Sequence, residues 1–86
     1  MNRRVIWDHG AVEQLLQLAG QERGTARRVV TAVRAYAAGQ RADVKKLAGR
    51  PGEWRLRIGS WRVVFAVDPD AQAIVVLQVT LRRDAY

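Results

Sequence analysis

The sequence contains no cysteine and a single histidine, His9, among its 86 residues. The first absence excludes a disulfide framework and any thiolate metal site. The second excludes a site built from clustered histidines, and neither a metal nor another cofactor is expected. Acidic residues are scarce, 8 against 15 Lys and Arg, for a formal net charge of +7. Long hydrophobic runs are missing too. Ala73 to Leu77, among the longest, is far too short to span a bilayer. The opening stretch MNRRVIWDHG lacks the apolar core of a secretory signal. No membrane partner is expected, and the chain reads as cytoplasmic.

What is present suits one compact domain spanning residues 1–86, with 49% hydrophobic residues to build its core. Of the basic residues 13 are Arg and only two are Lys. A small domain this basic attracts phosphate backbones and acidic proteins, and it repels itself until such a partner arrives.

Arg3–Asp8 is rich in β-formers and reads as a first strand, with Asp8 placed to cap the helix that follows. Val12, Leu15, Leu16 and Ala19 form the expected buried stripe of that helix. GQERGT interrupts it. A second helix, capped by Thr25, runs to about Ala38, with Ala26, Val29, Val30, Val33, Tyr36 and Ala37 on its apolar side. Gly39 suits a left-handed C-terminal cap. QRADVKKLAGRPGE reads as a linker, anchored to the core by Val44 and Leu47. Three strands follow, at Arg55–Ile58, Trp61–Asp68 and Ala73–Leu81, the last apolar on both faces at its start and so placed inside the sheet. The expected fold is α+β in the order β-α-α-β-β-β. A helical hairpin covers one face of a mostly antiparallel, curved sheet.

The stretch WRLRIGSWRVVF (Trp54–Phe65) shows where the positive charge goes. Gly59-Ser60 suits a two-residue type II′ turn. That turn pairs Ile58 with Trp61, Arg57 with Arg62, Leu56 with Val63, Arg55 with Val64 and Trp54 with Phe65. Opposed residues of an antiparallel pair share a face. Trp54, Leu56, Ile58, Trp61, Val63 and Phe65 then meet the helices, and Arg55, Arg57 and Arg62 lie on the helix-free side. Like charges directly opposed are destabilising. A solvated face of splayed side chains is one outcome; an anion seated between the guanidinium groups is the other, and three arginines on one face favour it. Glu53 is the nearest acid, with a rim salt bridge as its expected role, and no acid is expected to face the arginines. The tail LRRDAY adds Arg82, Arg83 and Tyr86.

The run DVKKLAGRPGEWRLRIGSWRVVFAVD, followed by VVLQVTLRRDAY, resembles the RelE/ParE superfamily of type II toxins almost throughout residues 43–86. The first 42 residues match only its strand–helix–helix layout. The resemblance implies a microbial-ribonuclease type of fold. RelE-like members of the superfamily cut mRNA in the ribosomal A site and are neutralised by a cognate antitoxin, so the ribosome, mRNA and an antitoxin are the implied partners. ParE-like members share the fold and poison DNA gyrase. On the RelE-like pattern, Arg62, Arg82 and Tyr86 are the implied catalytic residues, and Arg55, Arg57, Arg83, Lys45 and Lys46 the implied RNA- and phosphate-binding ones. The chain departs from the pattern at Leu81, where members often carry His or Lys, and in ending at Tyr86 where many continue. Arg55 and Arg57 replace a common Lys.

Metal-free RNA cleavage requires a base for the 2′-hydroxyl, charge stabilisation on the phosphorane and a proton for the leaving oxygen. His9, at a helix start, reads as a structural or surface residue. Arginine rarely surrenders a proton, its pKa exceeding about 12. Tyr86, with an intrinsic pKa near about 10, becomes a better phenolate with guanidinium groups held within about 6 Å. Its own terminal carboxylate opposes that ionisation. The expected function is therefore a ribosome-dependent, metal-independent endoribonuclease. The alternatives are a gyrase poison without nuclease chemistry and an inactive basic nucleic-acid-binding module.

Overall fold

The computed structural model describes residues 2–81. The elements are β1 (Arg4–Trp7), α1 (His9–Gln21), α2 (Arg23–Ala37), β2 (Val44–Lys46), β3 (Glu53–Ile58), β4 (Trp61–Asp68) and β5 (Ala73–Leu81). They form one five-stranded sheet in the order β1-β5-β4-β3-β2. Only the β1–β5 pair is parallel. The architecture is α+β, with both helices on one face of a mostly antiparallel sheet, as the patterning implies. The core joins Leu18 of α1, Val29 and Val33 of α2, and Leu56, Val63, Phe65, Val76 and Val79 of the sheet. Tyr36 tilts against Phe65 with ring centroids 5.4 Å apart.

Several details differ from the sequence reading, among them strand β3, which begins at Glu53 and not at Arg55. The stretch read as a linker contains a strand, β2, which extends the sheet beyond β3. Three residues are too few to show a period of two. The strand is tied down by Arg57 N–H to the Asp43 carbonyl at 3.0 Å and Leu47 N–H to the Glu53 carbonyl at 3.0 Å. Val44 is half-buried, as an anchor must be.

The buried stripe of α1 also shifts. Ala11 and Leu18 are buried, Leu15 and Ala19 pack against the core, and Leu16 is 65% exposed. Apolar residues at 11, 12, 15, 16, 18 and 19 allow two neighbouring stripes. Packing on β5 selects one of them, with Gln14 Oε1 accepting the Val79 N–H at 2.7 Å.

Helix α2 begins at Arg23, so Thr25 lies inside its first turn. There Thr25 donates its hydroxyl to the Glu22 carboxylate at 3.2 Å instead of capping a backbone N–H. Asp8 does precede α1 as the cap residue. Its carbonyl accepts the Val12 N–H at 2.9 Å, while its side chain makes no capping bond.

The C-terminus of α2 closes as expected. Gly39 takes φ 100°. Its N–H reaches the Tyr36 carbonyl and the Gln40 N–H the Ala35 carbonyl, each at 3.0 Å, which is the Schellman pattern.

Candidate functional site

The β3–β4 hairpin sets the site. Gly59 has φ 58° and Ser60 has no positive φ, the signature of a type II′ turn. The resulting register opposes Ile58 to Trp61, Arg57 to Arg62 and Arg55 to Val64, as the turn chemistry predicts. Leu56, Val63 and Phe65 point into the core. The arginines, at alternate positions, therefore lie on the helix-free side.

Neighbouring strands extend that side. Lys45 of β2 opposes Arg55, and Thr80 of β5 opposes Arg62. Lys45, Lys46, Arg55, Arg57 and Arg62, with Leu47 and Ala48, line one open cleft of about 490 Å³. Lys46 opposes Trp54, so its register places it on the other side of the edge strand, at the rim of the cleft. A break in the β4–β5 register leaves Leu77 unpaired between Val76 and Gln78. This bulge lets Ile74, Val76 and Val79 all face the core while Gln78 and Thr80 join the cleft side. The Thr80 hydroxyl is buried with no hydrogen-bond partner among the described residues.

The expectation that no acid faces the arginines is overturned by Asp43. Its Oδ1 and its carbonyl oxygen accept from Arg55 Nη1 at 3.1 and 3.2 Å. Its Oδ2 lies 3.8 Å from Arg57 Nη1, an ion pair too long for a hydrogen bond. Asp43 escapes the sequence pattern because the strand after it is only three residues long. With Val44 opposite Leu56, the next residue back falls beside Arg57, and a register count exposes it.

The other polar groups fall where the sequence placed them. Glu53 forms its rim pair with Arg50 at 3.4 Å. His9 is an exposed surface residue, 3.2 Å from Glu13 one helical turn on.

The arginines differ in freedom. Arg62 is buried at 8% exposure, whereas the Arg55 and Arg57 side chains keep 15% and 34%. Arg82, Arg83 and Tyr86 lie outside the described residues. Leu81, the last described residue, opposes Trp61, so its register turns it towards the helix side of the sheet, away from the cleft. Chemically, the cleft offers several forked donors, two of them touched by the Asp43 carboxylate. Planar guanidinium forks match the oxygens of a phosphodiester better than point charges do.

A sequence model described as the ParE toxin of the type II toxin–antitoxin system parDE matches residues 5–86. The chain belongs to this family. It is thus a type II toxin of the RelE/ParE superfamily. None of the curated proteins matches it.

Solved structures share the family's fold with this chain. The toxin–antitoxin complex RelBE2 from Mycobacterium tuberculosis provides a chain with a TM-score of 0.78 at 22% identity, covering 95% of this chain and 93% of that one. The archaeal RelE–RelB complex from Pyrococcus horikoshii OT3 gives 0.76 at 25% identity, covering 99% and 100%. The YoeB/ParE toxin from Agrobacterium tumefaciens gives 0.78 at 16% identity, covering 91% and 96%.

Proposed function

We propose that this toxin is a ribosome-dependent endoribonuclease that cuts mRNA in the A site without a metal, and that a cognate antitoxin silences it. The observation that carries the reading is the opposition of Arg57 and Arg62, beside Arg55 and Lys45, around one open cleft on the helix-free face. Guanidinium groups gathered on one face attract an anion, and an RNA phosphodiester is an anion of the right charge and shape.

In the proposed reaction, the Tyr86 phenolate takes the proton of the ribose 2′-hydroxyl. The 2′-oxygen then attacks the adjacent phosphorus and the bond to the 5′-oxygen breaks. The leaving oxygen takes a proton from water or from a ribosomal group. Arg55, Arg57 and Arg62 hold the phosphate oxygens, and Arg82 stabilises the dianionic phosphorane. Arg83, Lys45 and Lys46 draw in the flanking backbone. A tyrosine is mostly the neutral phenol at about pH 7, so alignment of the mRNA by the ribosome supplies much of the rate. Activity on free RNA is accordingly weak.

The related toxin structures from M. tuberculosis and P. horikoshii are complexes with an antitoxin. They support an antitoxin partner for this chain. An acidic or amphipathic segment covering the basic face suits its charge of +7. Cytoplasmic action follows from the ribosome as target. Among the described residues no helix is long and apolar enough to cross a membrane.

The ParE description of the matching family favours a second reading, a gyrase poison on the same fold. Two assays with purified toxin separate the readings. Cleavage of mRNA on programmed ribosomes is the result expected of the nuclease. Inhibition of gyrase supercoiling with the mRNA left intact would overturn it in favour of the second reading.

A further inference from the structure

Asp43 sits where a substrate phosphate is expected, and its two contacts are unequal. Arg55 is held by two hydrogen bonds from Nη1, at 3.1 and 3.2 Å, with its side chain 15% exposed. Both Nη1 protons are thereby used, which leaves Nε–H and Nη2 as the edge for a second anion. Arg57 is more exposed, at 34%, and touches the carboxylate only at 3.8 Å. The carboxylate itself is 55% exposed, and Asp43 does not line the cleft but contacts two arginines that do. Its charge lies against Arg57, which stands opposite Arg62 in the ladder.

We infer that Asp43 is a resident anion beside the cleft, a positioning residue that fixes Arg55 permanently and yields Arg57 to an incoming phosphate. In the empty toxin it keeps Arg55 and Arg57 together. On binding, the phosphate takes over the weak arm, while the backbone carbonyl of Asp43 and the short Oδ1 bond keep Arg55 aimed. Asp43 thus lowers affinity for RNA and preserves the geometry of the cleft. The inference rests on the phosphate-binding reading above.

Asp43→Asn isolates the charge, because the amide oxygen still accepts from Arg55 while the competing anion is gone. The full-length toxin is titrated with a 2′-O-methyl oligoribonucleotide, which it cannot cleave, over a range of KCl. D43N is expected to bind about fivefold tighter at low salt, the order set by removing one exposed charge a few ångströms from the phosphate. Its log–log salt slope is expected to steepen by up to about 0.7, the site carrying one more net positive charge towards the backbone. Thermal melts with inorganic phosphate give a readout free of RNA. Phosphate is expected to raise the Tm of D43N more than that of the parent. A D43N chain unfolded in plain buffer but folded by phosphate supports the inference equally. Equal or weaker oligonucleotide binding, an unchanged salt slope, or a chain unfolded in both buffers overturns it. Failure of the parent toxin to bind the oligonucleotide would instead remove the phosphate-binding reading itself.

Discussion

Arg57 carries two opposing interactions, the like charge of Arg62 across the ladder and the distant carboxylate of Asp43. Replacing it with glutamine removes both. Arg57→Gln should therefore leave the unfolding midpoint almost unchanged. RNA affinity should fall by about tenfold, with a salt slope shallower by about 0.7. Binding titrations at several salt concentrations, set beside a thermal melt, check the two halves. Tyr86→Phe makes a sharper demand. If the phenolate is the base, cleavage on ribosomes falls by about 100-fold or more while stability and RNA binding hold. At this scale much of the cleft was readable in advance. Arg55, Arg57 and Arg62 share a face because Gly59-Ser60 dictates the register, and that deduction needed only the turn. Asp43 was not readable, since its role depends on a three-residue strand with no period to detect.

Among the elements, the hairpin turn and helix α1 give the clearest tests. Gly59 has φ 58°, and a Cβ there would stand 3.6 Å from Arg28 Nη2, an ordinary contact with a flexible side chain. The penalty for Gly59→Ala is then conformational, about 1 kcal/mol or somewhat more, and urea unfolding should show it. For α1 the contrast lies between neighbours. Leu16 is 65% exposed, so Leu16→Gln should shift stability by no more than about 0.5 kcal/mol. Leu18 is 4% exposed, so Leu18→Ala should cost about 2–5 kcal/mol. Equal effects at the two positions would restore the stripe that periodicity alone suggested. Periodicity failed here because α1 has apolar residues on two adjacent stripes, and contact with β5 decides between them. The same limit hid the bulge at Leu77. In a strand apolar on both faces, an inserted residue leaves no mark on the pattern. Strand β5 nonetheless kept its expected bounds, Ala73–Leu81, because Asp68 closes the preceding turn. Its Oδ1 accepts the Asp70 and Ala71 N–H groups at 3.1 and 3.2 Å.

On the scale of the whole molecule, the fold divides its two faces by charge. The helices take the apolar side of the sheet, with Phe65 at 1% exposure in the middle of the core. The other side gathers cations from adjacent strands. A net charge of +7 on 86 residues makes the free toxin self-repelling and draws it towards polyanions. Superfamily membership was readable from residues 43–86, where the basic–apolar alternation and its turn form one long motif. The choice between nuclease and gyrase poison was not, because one fold hosts both activities and the deciding chemistry is local. The most direct test maps mRNA 5′ ends in cells after a short pulse of toxin expression. The nuclease account predicts new ends clustered within codons at the ribosomal A site, absent from a Tyr86→Phe pulse. Growth arrest with intact mRNA, halted replication and an SOS response would contradict it.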